Sequence, residues 1–419
     1  MSNRLKVAAL TAAFALGVGA VPALAQDDVS FELWTKEGEA DGSLQWVQKL
    51  ADDFMAANPN VTISVVQKEV GGSESLRQDF QLQSFAGNPP ALLWTVADHI
   101  GPFTAADLLL PLDELVDNAA YVPGGVSAMQ TPDGTTYGVP INVGNHLMLY
   151  YNKDMVAECP ADSDALIEAA IANTDAEAGT FGLVYRQDES FWLVPFLGGF
   201  GGVVFAEDGV TPTLDTEAMA SALKFMNDLE FVHGVMPVEA DYQIADDLFK
   251  QGKAAMTING DWTLGSYSEL DFEIGVCPIP PMVGGENPKP YVAGNFFMVS
   301  KAVADDEALQ GAVIDFIKYA TSTDVQLAQL ETLKRLPSNV EALSAPSITE
   351  DPLLAGSAAA VQNGIPQPTN LEMRCVFDAM NVGVRANAAS ADADQVQLAA
   401  DMQAAAEAGV APGGECAPE

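Results

Sequence analysis

The stretch VSFELWTKEGEADGSLQWVQKLADDFMAANPNVTISVVQ, residues 29–67, decides the fold class. Its first part alternates apolar and polar residues up to Trp34, the pattern of a half-buried strand. Leu44, Val47, Leu50 and Phe54 then recur at helical spacing, and Asn58-Pro59 ends that helix because the residue before a proline is driven out of the helical region. The β-branched run VTISVV reads as a second strand. A strand, a helix and a strand in this order imply a right-handed crossover and a parallel sheet. A second helix over ESLRQDFQLQSFAG and a third short strand in PPALLWTVADHI continue the pattern, so the first hundred residues are α/β. Such sheets place ligands beyond the carboxyl ends of their strands. Trp34, Thr35 and Glu37 follow the first strand, and Trp94, Asp98 and His99 follow the third, so both groups belong to one rim.

Further along, His146 to Tyr151 is an apolar β run, and TEAMASALKFMNDLEFVHG and QIADDLFKQGKAA read as helices. AAMTING opens as a strand, Asn259-Gly260-Asp261 reads as a turn, and Trp262 follows it directly. That places Trp262 either on a cleft as a flat platform or in the core beneath a loop. PYVAGNFFMVS forms another strand, EALQGAVIDFIKYATS a long amphipathic helix, and the Ala-rich tail from about 351 to 408 is mostly helical.

The chain has 419 residues, enough for two domains, and 48% of them are apolar against 18% charged, which marks a globular protein. Residues 1–25 carry Arg4 and Lys6, an apolar run from Val7 to Val21 and Ala23-Leu24-Ala25, the layout of a secretory signal peptide cleaved before Gln26. The run is shorter than the ~20 residues that span a bilayer, so a membrane anchor is the weaker alternative. Export to an oxidising compartment makes disulfides available to the four cysteines, and the pairs Cys159–Cys277 and Cys375–Cys416 are favoured among three possible pairings. A net charge of −40 repels phosphate backbones and excludes nucleic acid as a partner. The scattered carboxylates read as a solvated surface, no close Cys or His pair suggests zinc, and no cofactor is expected.

LWTKEG (33–38), AADLLLPLDELV (105–116), YGVPINVGNHLMLYYNKDM (137–155) and DLFKQGKAAMTINGDW (247–262) occur in this order. With FEIGVCPIPPMVGGENPKPYVAGNFFMVSKA and the segment ending in LKRLPS, they resemble the extracellular solute-binding proteins of sugar ABC importers, maltose-binding proteins among them. The resemblance covers nearly all of the chain after the leader. It implies a two-lobe periplasmic-binding-protein fold of type II, with a multi-strand hinge and a ligand cleft. From the motif positions, lobe one spans 27–140 and 280–335, and lobe two spans 141–279 and 336–419. Crossings are expected near Pro140, Cys277-Pro278 and Pro337, where proline stiffens extended chain. A monomer in the periplasm would capture an α-glucoside or small oligosaccharide and hand it to a membrane permease.

A sugar offers hydroxyls at its edge and C–H groups on its faces, so its site needs aromatic platforms with fixed donors and acceptors. The resemblance puts Trp262 at a stacking position and Trp34, Glu37 and Trp94 among first-lobe contacts. Asp98, Asn145, His146, Asp261, Asn295, Glu372 and Arg374 complete the candidates. No carboxylate stands ahead of YNKD where the relatives use one, and Phe377 is the nearest aromatic to Arg374. Two other readings stay open: the same fold binding a polyol or polyamine, and an exported carbohydrate-active enzyme using paired carboxylates. No GxSxG or HExxH motif supports catalysis.

Overall fold

A computed structural model describes residues 28–416 except positions 40, 69–72, 132 and 239; the expected signal peptide lies outside the described residues. The strands in chain order are β1 (Val29–Thr35), β2 (Val61–Gln67), β3 (Leu92–Val96), β4 (Gly138–Pro140), β5 (Leu147–Asn152) and β6 (Phe181–Val184). They are followed by β7 (Ala254–Gly260), β8 (Ile274–Cys277), β9 (Tyr291–Val292), β10 (Asn295–Val299) and β11 (Ile365–Pro366).

The first sheet has the order β2-β1-β3-β10-β4 and the second β6-β7-β5-β8. β1 pairs in parallel with β2 and β3, as the opening stretch requires, with Leu33 opposite both Val65 and Leu92. β10 returns antiparallel between β3 and β4. Helix Ser43–Ala57 buries Trp46, Val47, Leu50, Ala51 and Phe54 against this sheet, and Phe54 meets Phe316 of helix Glu307–Ala320 edge to face. Around the second sheet, Leu147, Leu149, Met256 and Ile258 pack with helices Leu193–Gly199 and Glu217–Phe231. Part of the acidic load caps helices: Asp162, Asp241, Asp306 and Asp394 each accept a backbone N–H in the first turn that would otherwise lack a partner.

Two local expectations need correction. Asn259 and Gly260 are not a turn; they are the buried end of β7, paired with Met148 and Leu147, and a single 3-10 turn follows at Asp261–Thr263. Gly260 is required there because a Cβ would lie 2.1 Å from the ring of Trp262, which folds back over the strand end. The second crossing also comes later than Cys277-Pro278. Ile279, Met282 and Tyr291 pack in the core of the second sheet, and the chain rejoins the first sheet only at Asn295. Gly294, with φ 134°, makes that bend and splits the expected strand PYVAGNFFMVS into β9 and β10.

Three extended segments therefore join the lobes, and they bond to one another. Val143 N–H donates to Leu336 O at 2.9 Å, Ala293 N–H to Gly144 O at 2.9 Å, and Asn295 N–H to Asn142 Oδ1 at 3.1 Å. Gln326 fastens the bundle by donating to Ile141 O and accepting from Asn339 N–H. Beside it, the buried Arg335 Nη2 donates to Glu37 Oε2 at 3.1 Å, Asp41 Oδ2 at 3.0 Å and Ser43 Oγ at 2.7 Å. Burial alone would raise the Glu37 carboxyl, but the Arg335 guanidinium and Lys36 outweigh it and hold it down to about 2.

Both disulfides are the expected ones, Cys159–Cys277 and Cys375–Cys416. The first ties the loop after β5 to the end of β8; the second ties the segment after helix Gln395–Val410 to helix Glu372–Ala388.

Three stability experiments follow from these contacts. Replacing Arg335 by Met strands a buried carboxylate and is expected to cost about 3–5 kcal/mol in urea unfolding at pH 7. The Glu37 contribution is present above pH 4.5 and is lost as pH falls toward about 2, so Glu37→Gln should flatten the acid limb of stability across that window. Cys375→Ser with Cys416→Ser opens a cross-link of sequence separation 41 and is expected to cost about 3–4 kcal/mol, read as a lower urea midpoint.

Candidate ligand-binding cleft

The cleft between the two sheets has a main chamber of about 500 Å³ and an adjoining polar recess of about 210 Å³ against the joining segments. Lys36, Asn145 and Trp262 line both. The strand ends build it: Lys36 and Glu37 follow β1, Lys68 follows β2, Asp98 follows β3, Arg186 and Glu189 follow β6, and Asp261 and Trp262 follow β7. This is the rim that the strand order requires, since side chains after buried strands emerge at their carboxyl ends.

The wall from the second lobe is aromatic. Trp262 is half-buried, with ring centroids 6.2 Å from Trp192 and 6.3 Å from Phe191, and its indole N–H donates to Tyr242 OH at 2.9 Å. Burial and the nearby Asp246 push the Tyr242 hydroxyl up to about 12, so it stays protonated. Trp192 lies deeper, donating to Ile258 O at 2.9 Å and supporting Trp262 from behind. The facing wall, from the first lobe, is polar and charged, with Lys36, Lys68, Arg77 and Asp98. Burial raises the Asp98 carboxyl above its ordinary value, with Lys36 pulling the other way.

Several polar side-chain atoms of residues lining the recess are buried without a partner. Asp261 is 2% exposed and its Oδ2 has no hydrogen-bond partner among the described residues. Asn295 Oδ1 and Arg335 Nε and Nη1 share that condition. Burial raises the Asp261 carboxyl, and His146 and then Arg335 lower it only in part. Buried polar atoms without partners are costly, so a rearrangement of the recess that pairs them is favoured. Asn145, at φ 52°, turns the backbone at the border of the two spaces.

The sequence candidates divide accordingly. Glu37, Asp98, Asn145, Asp261, Trp262, Asn295 and Arg374 line the cleft or its recess. Trp94 does not: it is fully buried, donates to Glu37 Oε1 at 3.0 Å and packs edge to face on Phe297. Its place in a central strand of the first sheet makes it core, and it acts on the cleft only by holding Glu37. Trp34 is 5% exposed, with Lys68 Nζ 3.6 Å above its ring, so the cation covers the face a sugar would use. His146 is fully buried beside Ser357, and burial pushes its pKa below the ordinary value, with Asp261 pulling the other way. Glu372 is buried and accepts from Asn370 Nδ2 at 2.9 Å, away from the lining. Missed were Arg335, Phe191, Tyr242 and the basic residues Lys36, Lys68, Arg77, Arg186 and Arg385; the rarity of Lys and Arg in this chain, which flagged Arg374, could have flagged these as well.

At the mouth the lobes touch. Helix Ile100–Ala105 meets segment 369–371, and a Cβ on Gly101 would lie 2.4 Å from Thr369 O.

Known proteins share this arrangement. The maltose/maltodextrin-binding domain MalE from Bdellovibrio bacteriovorus bound to maltotriose superposes with a TM-score of 0.83 at 31% identity, over 90% of this chain and 99% of that one. The Thermus thermophilus maltotriose-binding protein bound with maltotriose gives 0.81 at 25% identity, over 90% and 99%. The maltotriose-binding protein of Pyrococcus abyssi is 29% identical over 341 residues, 80% of this chain and 72% of that protein. Residues 49–356 match the family of bacterial extracellular solute-binding proteins. With that match over most of its length and the same two-lobe fold, the chain belongs to the bacterial extracellular solute-binding proteins.

Proposed function

We propose that this protein captures a small oligosaccharide of the maltotriose class between its lobes in the periplasm and delivers it, as a monomer, to a membrane ABC permease. One observation carries the reading: an aromatic wall around the half-buried Trp262 adjoins a recess lined by the polar side chains of Asn145, Asp261, Asn295 and Arg335. Trp262 then covers the C–H face of a sugar ring, and Asp261, Asn145, Asn295 and Arg335 take its hydroxyls. Glu37 contributes by fixing Arg335 rather than by touching the sugar. Ligand that contacts both lobes binds the closed form better than the open one, and the population shifts by that differential affinity. The cations of the cleft disfavour a polyamine. No cofactor and no turnover are part of this reading; release of shorter sugars from incubated maltotriose would overturn it.

Trp262→Ala is expected to weaken maltotriose binding about ten- to a hundredfold in calorimetry. Its stability loss should fall short of the ~3–5 kcal/mol of a core aromatic deletion, and a full loss of that size would return Trp262 to the core. Gly101→Leu places a side chain where the lobes meet. It should weaken binding at unchanged urea stability, with a larger radius of gyration in the presence of sugar; affinity equal to the parent would show that closure at this rim is not required.

A further inference from the structure

The chain carries 18 Lys and Arg against 58 Asp and Glu, yet six of those few cations line the main chamber. They come equally from both lobes: Lys36, Lys68 and Arg77 on one wall, and Arg186, Arg374 and Arg385 on the other. Only three acids, Asp98, Glu189 and Asp378, line the same space. The surrounding ratio of charges is thus inverted inside the cleft.

A neutral sugar gives no reason for this. Its hydroxyls are served equally well by carboxylates and amides, which this chain has in abundance. Nor are the cations loosely placed. Asp79 lies 3.3 Å from Lys68, Asp188 lies 2.6 Å from Arg186 Nε, and Asp378 lies 3.2 Å from Arg374 Nε. Arg186 also engages Glu189, and Arg385 Nε donates to Asp188 O at 3.2 Å. Asp98 and Glu189 lie on opposite walls of the chamber, and burial raises both carboxyls, although Arg186 opposes the shift at Glu189.

Resting on the sugar reading, we propose that the saccharide taken by this cleft carries an anionic group, a carboxylate or a phosphate, held between cations of the two lobes. Guanidinium forks match both groups in geometry, and a partly desolvated site strengthens the attraction. An anion between the walls is attracted by cations of both, so its hold strengthens as closure brings them nearer. The charge on the ligand therefore links binding to closure, while Trp262 and the recess read the neutral ring.

The test is calorimetry on the mature protein at low salt with three ligands: maltotriose, maltotriose oxidised at its reducing end to the carboxylate, and maltotriose 6-phosphate. At least one anionic form should bind about tenfold more tightly than maltotriose, and the two arms tell carboxylate from phosphate. The preference should shrink in the double variant Arg186→Gln, Arg374→Gln and with added salt. Maltotriose binding as tightly as both anionic forms overturns the charge proposal and leaves the sugar reading standing. Failure of all three to bind overturns both.

Discussion

The buried contact between Arg335 and Glu37 is the constraint around which this molecule is arranged. Glu37 follows the first strand, Trp94 of the third strand donates to its other oxygen, and Arg335 lies on the last segment joining the lobes. A pair of opposite charges in so dry a place is stable only if its remaining hydrogen-bonding atoms are served, and Asp41 and Ser43 serve part of the guanidinium. The rest of it, Nε and Nη1, is enclosed without a hydrogen-bond partner beside the recess. The same residue thus fixes the hinge to the first sheet and forms part of the recess wall.

The two walls divide the work of recognition. The aromatic area comes from the second lobe through Trp262, Phe191 and Tyr242; the first contributes charge through Lys36, Lys68 and Arg77, to which the second adds Arg186. Helix Glu372–Ala388 crosses this division, carrying Arg374, Phe377, Asp378 and Arg385 to the chamber from one face. Its opposite side packs against helix Gln395–Val410, which Cys416 locks to Cys375. Rigid support behind a cleft face lowers the ordering cost that a ligand must offset.

Much of the fold was legible because its signals are local. The alternation before Trp34, the helical spacing to Phe54 and the Pro59 stop specify a crossover without any distant information. The site was legible only in outline. Asn259-Gly260 reads as a turn by propensity, but pairing with Met148 and Leu147 overrides it, and Gly260 is there to admit the Trp262 ring. Trp94 follows the rule that strand ends face the cleft, yet lies two residues too early, where a central strand has both faces covered. Arg335 gave no sign because its partners are almost three hundred residues away in sequence, and long-range ion pairs leave no periodic trace.

Charge then acts on two scales. At distances beyond a Debye length, about 8 Å in physiological salt, the acidic surface of a chain of net charge −40 repels an approaching anion, and dissolved ions screen that repulsion. Inside the chamber the spacing is shorter and water is partly excluded, so the six cations dominate and are screened less. Salt therefore relieves the approach before it erodes the grip. In the proposed reading, the inverted interior selects the anionic group while the aromatic platform of Trp262 takes the ring.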